Sequence, residues 1–224
     1  MKIFLDTAET DVVRKHFKTG LIDGLTTNPT LIRKSGHKHE EVYQELKDIG
    51  INDISMEVIG SKENMISEGK RLYKKFGKCS TIKVPCTVDG LEACKELAVE
   101  GIKVNVTLIF SVSQAILSAK AGAKYISPFV GRLRDNSISG TQAIGYIHEI
   151  FSKQCHFDTE ILAASLRDVQ SVTSAFHAGA QICTMPPSVF HKMYNHVLTD
   201  VGLKQFDEDY QSAQEYLNAN TPLV

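Results

Sequence analysis

Eight short apolar runs recur along this chain, at residues 3–5, 24–26, 54–58, 81–84, 102–106, 125–126, 161–164 and 182–185. Between them lie stretches with helical spacing of apolar residues, such as 61–76, 88–99, 111–120, 138–154 and 168–178. Gly101, Gly122 and Gly179 stand where those helices would end, and Gly24 opens a run. Strict alternation of this kind specifies a parallel sheet covered by helices, and eight repeats close it. The expected fold class is therefore α/β: a single (β/α)₈ TIM barrel. A doubly wound open sheet would carry a glycine-rich loop after its first strand. Here that strand runs into Asp6-Thr-Ala-Glu-Thr10, which has no glycine.

The 224 residues suit one such domain, 1–224, with no Pro/Gly/Ser-rich linker to divide it. About forty residues follow the eighth run, reading as two helices ending near Leu217. That exceeds one barrel helix, so residues from about 198 to 224 are expected to form an extra C-terminal helical arm on a neighbouring subunit.

A net charge of −1 gives no basic face for nucleic acid. Cysteines at 79, 86, 94, 155 and 183 are odd in number and lack metal-ligand spacing, so reduced thiols are expected. The opening apolar run breaks at Asp6 after three residues, too short for a signal peptide, and no run approaches a membrane span. A cytoplasmic protein without membrane or nucleic-acid partners is the expectation.

Polar residues fall at the C-terminal ends of the runs, where barrels of this kind gather functional groups. They are Asp6, Thr26-Thr27-Asn28, Glu57, Lys83, Asn105 with Thr107, Ser127, and Ser165 with Arg167. Lys83, in Thr81-Ile-Lys-Val-Pro85, has two readings. It can snorkel outward from a strand end, or stand desolvated in the barrel mouth as a nucleophilic amine. Glu57 and Asp6 on nearby strands support the second, because imine chemistry needs acids and bases around the lysine. Asp6-Thr-Ala-Glu9 also has the form of a capping box, so cap and catalyst both remain open. An acid at Glu57 inside an apolar strand is costly unless paired, which favours function. Asn105 and Thr107, two apart, share a face either as substrate ligands or as a buried polar ladder. Arg132 and Arg167, with Ser127 and Ser165 nearby, form a rim able to hold phosphate, although lone arginines usually face solvent. The eight histidines, among them His37, His39, His156 and His177, avoid strand ends and read as surface or packing residues.

In Phe4-Leu-Asp-Thr-Ala8, Gly24-Leu-Thr-Thr-Asn-Pro-Thr30, Ile82-Lys-Val-Pro85, Asn105-Val-Thr-Leu108, Ile126-Ser-Pro-Phe-Val-Gly-Arg132, Ile161-Leu-Ala-Ala-Ser-Leu-Arg167 and Thr184-Met-Pro-Pro187, the chain resembles the transaldolase family. The likeness is to the short branch that includes fructose-6-phosphate aldolases. It implies that Lys83 forms an imine with a ketose, Asp6 moves the hydroxyl proton, and Glu57 with Thr107 holds the proton-carrying water. It further implies that Thr26, Asn28, Asn105 and Ser127 line the dihydroxyacetone site with Phe129, and that Arg132, Ser165 and Arg167 hold phosphate. No metal or cofactor is called for.

The related aldolases look to carry Gln at position 57 and Tyr at position 129, so Glu57 and Phe129 favour transaldolase. The implied reaction moves a dihydroxyacetone unit from sedoheptulose 7-phosphate to glyceraldehyde 3-phosphate in the pentose phosphate pathway. Fructose-6-phosphate aldolase, or a sugar-phosphate binder without turnover, are the alternatives. Where the family usually has an acid two residues after Arg132, this chain has Arg134, which adds to phosphate binding or faces solvent. The arm resembles one that packs short transaldolases into ring-shaped homo-oligomers, here expected to be a decamer.

Overall fold

The computed structural model describes residues 1–154 and 158–220. Eight parallel strands close a barrel in chain order, with β1 paired to β8. They are β1 (Lys2–Asp6), β2 (Gly24–Thr26), β3 (Ile54–Glu57), β4 (Ser80–Pro85), β5 (Val104–Ile109), β6 (Tyr125–Pro128), β7 (Glu160–Ala163) and β8 (Ile182–Met185). The helices are α1 (Thr10–Phe17), α2 (Pro29–Ser35), α3 (His39–Ile49), α4 (Lys62–Phe76), α5 (Val88–Val99), α6 (Val112–Lys120), α7 (Val130–Asp135), α8 (Gly140–Lys153), α9 (Val169–His177), α10 (Pro187–Lys192) and α11 (Val197–Asn220). The (β/α)₈ expectation is met. Met1–Phe190 form one compact unit, and the residues from His191 onward form a second. The C-terminal reading as two helices corresponds to α10 and α11.

Side-chain parity sorts the barrel. In β4, Ile82 faces outward: a Cβ added at Gly69 of α4 would lie 3.2 Å from its Cγ2. Thr81 and Lys83 therefore face inward. Outward residues such as Ile82, Val84, Val104 and Val106 are fully buried. Each contributes roughly 1.5–3 kcal/mol relative to an exposed position. Local chemistry starts the helices. Asn28, Ser61, Thr87, Ser111, Ser139 and Asp168 each accept a hydrogen bond at a helix N-terminus.

The base of the barrel is plugged. Asp53, just before β3, accepts from Thr81 Oγ1 at 2.7 Å, Lys103 Nζ at 2.7 Å and Tyr125 OH at 2.8 Å. Phe4 packs edge-on to Tyr125 at 6.2 Å between ring centroids, beside Leu162 and Ile182. Phe4 is also the register partner of Gly24, where a Cβ would fall 2.5 Å from the Phe4 ring. Glycine there makes room for the plug.

Two sequence expectations change. Strand five starts at Val104 rather than 102 and runs to Ile109, because it continues through a register shift between Val106 and Ile109. Asp6 does not cap the first helix. The N-cap of α1 is Glu9, without a side-chain cap bond, because Asp6 is still in β1 and its carboxylate is engaged inside the barrel. Cys79, Cys86, Cys94 and Cys183 are free thiols. Cys155 and His156 lie outside the described residues, as do the last four residues of the expected arm.

Candidate active site

The inward residues at the strand tops enclose a cavity of about 130 Å³. Asp6, Thr26, Asn28, Lys83, Thr107, Ser127, Phe129, Arg132 and Ser165 all line it. Nine positions singled out from sequence thus meet in one space. Thr184 and Ala164 complete the wall.

Lys83 sits on the floor, 6% exposed. Its Nζ donates to Thr27 O at 2.9 Å and lies 3.0 Å from Glu57 Oε2. Glu57 is its register partner on β3. A buried amine in contact with a half-buried carboxylate brings together the nucleophile and the acid–base partner that imine chemistry needs. Glu57 does not line the cavity; it reaches Lys83 from the side. Its other neighbour is an open cleft of about 830 Å³ over α3 and α4. That cleft is larger than the barrel cavity, yet several of its charges are already matched, Glu40 pairing with both Arg71 and Lys75. The smaller barrel cavity, by contrast, is lined by Lys83, Asp6 and Thr107.

Asp6 accepts from Thr26 Oγ1 at 2.7 Å, and Thr26 Oγ1 lies 2.7 Å from Thr184 Oγ1. Burial pushes the Asp6 carboxyl above its ordinary range, the Lys83 charge and the Thr26 bond act downward, and Glu57 adds to the rise. Such a group is poised to take and return a proton nearer neutral pH.

Thr107 Oγ1 is the buried side-chain oxygen without a hydrogen-bond partner among the described residues. It lines the cavity next to Leu108, whose φ of 59° belongs to the left-handed region that leucine rarely adopts. The register irregularity of β5 falls at the same place. Thr107 itself shares the inward parity of Asn105 and Lys83, which places its hydroxyl in the cavity wall.

Asn105 lies beneath the cavity rather than in its wall. It donates to Ser55 Oγ at 3.2 Å and accepts from Ser127 Oγ at 2.7 Å, so it holds Ser127 in position. Asn28 lines the cavity while its Oδ1 caps α2 through Leu31 N at 2.9 Å. The Arg132 guanidinium lies 5.0 Å from the centre of the Phe129 ring, and Phe129 packs on Phe110. Ser165 has φ 59°, and its carbonyl accepts from Gly131 N at 3.0 Å. Arg167 is not in the cavity wall. It forks onto Asp135 at 2.6 Å through both terminal nitrogens, which holds the Asp135 carboxyl below its usual range. Arg134 pairs with Asp168 at 2.9 Å.

Two residues escaped the sequence reading. Thr184 stands in the Thr184-Met-Pro-Pro187 motif but received no role, although it is the lone hydroxyl in an apolar final run. Tyr43, buried on α3, interacts with the Thr27 side chain and the Glu57 backbone, and burial pushes its phenol up to about 12. Nothing in a helical periodicity marks a core tyrosine as a neighbour of the site.

A family model described as "Transaldolase/Fructose-6-phosphate aldolase" matches residues 3–221. A protein named "Probable transaldolase" from Paracoccus denitrificans (strain Pd 1222) is 51% identical over 211 residues, 94% of this chain and 96% of its own. Another of that name from Nitrosopumilus maritimus (strain SCM1) is 46% identical over 215 residues, 96% of each chain. A third, from Aquifex aeolicus (strain VF5), is 45% identical over 216 residues, 96% of this chain and 99% of its own.

Proposed function

The chain belongs to the transaldolase/fructose-6-phosphate aldolase family, and from that premise we propose that it is a transaldolase working through a Lys83 Schiff base. The reaction is reversible transfer of a dihydroxyacetone unit from sedoheptulose 7-phosphate to glyceraldehyde 3-phosphate, giving erythrose 4-phosphate and fructose 6-phosphate. The observation that carries the reading is the placement of Lys83, buried at the cavity floor 3.0 Å from Glu57 Oε2, with Asp6 in the same cavity.

Glu57 accepts the Lys83 proton, and the neutral amine adds to the ketose carbonyl. The carbinolamine loses its oxygen as water, with Glu57 supplying the proton and Thr107 Oγ1 holding the water. The resulting iminium draws electrons from the neighbouring carbon–carbon bond, in the role a Lewis acid would otherwise play. Asp6 takes the proton of the adjacent hydroxyl, that bond breaks, and the first aldehyde leaves. The three-carbon enamine then adds to the second aldehyde, Asp6 returns its proton, and water releases the ketose. Thr26, Asn28 and Ser127, with Asn105 behind Ser127, hold the donor hydroxyls beside Phe129. Arg132, Ser165 and Arg167 hold the phosphate.

Glu57 and Phe129 favour transfer over simple aldol cleavage, since the related aldolases look to carry Gln and Tyr there. Exposed Leu198, Val201, Phe206 and Tyr210 on α11 support a homo-oligomeric assembly, a decamer by resemblance. A monomeric mass by light scattering would overturn that. No helix among the described residues is long and apolar enough to cross a membrane, and a cytoplasmic site of action is part of the proposal.

The test is reduction by borohydride in the presence of fructose 6-phosphate, with Lys83→Met as control. A dihydroxyacetone-sized adduct on Lys83 is expected. Bound substrate without an adduct would leave a non-catalytic sugar-phosphate binder. Rapid cleavage of fructose 6-phosphate without an acceptor would instead favour the aldolase.

A further inference from the structure

Two ion pairs tie the rim after β6 to the rim after β7, and they run in opposite senses. Arg167 forks onto Asp135 with both contacts at 2.6 Å, while Arg134 reaches back to Asp168 at 2.9 Å. Beneath them the two turns are pinned by backbone bonds, Val130 N to Ala164 O and Gly131 N to Ser165 O, both 3.0 Å. Gly131 permits that approach, because a Cβ there would stand 2.1 Å from Ser165 O and 3.1 Å from Arg167 Nε. The Arg167 side chain therefore lies against the turn that carries Arg132. Arg132 and Ser165 line the cavity, whereas Arg167 is engaged elsewhere.

A carboxylate held by both arms of a guanidinium imitates one edge of a phosphate, with two oxygens, the same fork and negative charge. Resting on the sugar-phosphate reading above, we propose that Asp135 is a built-in competitor for the substrate phosphate. It occupies the Arg167 fork until a phosphorylated sugar claims it, and so sets how strongly phosphorylated sugars are preferred over free ones.

The pair is suited to being exchanged. Its side chains are 48% and 47% exposed, so solvent screens the attraction. A dianionic phosphate also gains Arg132 as a second holder. The companion pair is less able to swap, since Asp168 Oδ1 accepts from Ser171 N at 2.7 Å and caps α9.

The test is the Kd for inorganic phosphate by calorimetry, with the KM for fructose 6-phosphate and for unphosphorylated fructose. These are compared in the wild type, Asp135→Asn, Arg167→Ala and the double variant. Asp135→Asn is expected to tighten phosphate and to lower the fructose 6-phosphate KM about threefold to fivefold, the scale of an exposed ion pair. The fructose KM and kcat stay unchanged, and in the Arg167→Ala background the effect of Asp135→Asn disappears. Weaker or unchanged phosphate binding in Asp135→Asn overturns the proposal, as does an equal gain without Arg167. Because phosphate binding is read without turnover, failure of the Schiff-base chemistry shows separately, as a missing borohydride adduct on Lys83.

Discussion

Thr26 Oγ1 lies 2.7 Å from Asp6 Oδ1, and the same oxygen lies 2.7 Å from Thr184 Oγ1. A hydroxyl has one proton, so with Thr26 donating to Asp6, Thr184 must donate to Thr26. The relay aims the carboxylate and favours its ionised form. Thr26→Val keeps the shape and breaks the relay. The lower-pH limb of kcat/KM should then move to higher pH, with activity near neutrality falling about tenfold, within the range of general-base effects. A pH profile superimposable on the wild type would leave Thr26 with no part in aiming Asp6.

Asp6 also marks a conflict between stability and function. Its carboxyl is raised chiefly by burial, so the folded chain holds a proton there more readily than the unfolded chain does. The sign follows: with the folded value above the unfolded one, the fold is favoured at low pH and loses stability as pH rises from about the ordinary value of 3.8 through the raised one. Asp6→Asn should therefore raise the melting temperature at neutral pH and abolish activity. The gain should vanish below about pH 3.8. Melting curves across pH would decide, and an Asn variant less stable at neutral pH would contradict the burial account.

In the Lys83–Glu57 pair Lys83 is buried and Glu57 half-buried, with side-chain exposures of 8% and 15%. Removing one partner strands the other charge. Lys83→Met should cost about 1.5–3 kcal/mol in urea unfolding at neutral pH. Adding Glu57→Gln should restore most of that without restoring activity. If the single variant matched the wild type in stability, the pair would be better solvated than its exposure indicates.

At the opposite end of the barrel, Asp53 collects three donors from three strands' worth of chain. Tyr125→Phe removes one of them and keeps the ring on Phe4, so a loss of about 1–2 kcal/mol with unchanged KM is expected. Asp53→Ala strands the buried Thr81 and Tyr125 hydroxyls together and should cost more than Tyr125→Phe. Impaired substrate binding in Tyr125→Phe, rather than lower stability alone, would mean that base and mouth are coupled.

The barrel was legible because apolar runs and helical spacings are local signals, and Lys83, Asp6 and Glu57 stood out as charges in apolar strands. Parity then brought most candidate residues into one cavity. What escaped depends on distant partners. Asn105 has the inward parity of a ligand, but Ser55 and Ser127 occupy its amide. Arg167 has the position of a phosphate ligand, but Asp135, thirty-two residues earlier, holds its fork. Asp6 fits a capping pattern, and only the length of β1 shows that the helix starts beyond it. Tyr43 reaches the site from outside the barrel, where no strand pattern points.

The plug of Phe4 against Gly24, with the Asp53 cluster beside it, makes the barrel a cup rather than a tube. Under the proposed transfer reaction, that shape leaves a single way in and out. Both aldehydes of the proposed transfer would pass through the same mouth, since the Phe4 plug closes the other end of the barrel. A departing aldehyde would then clear the path for the incoming one, and alternation of the two would follow from the closed floor.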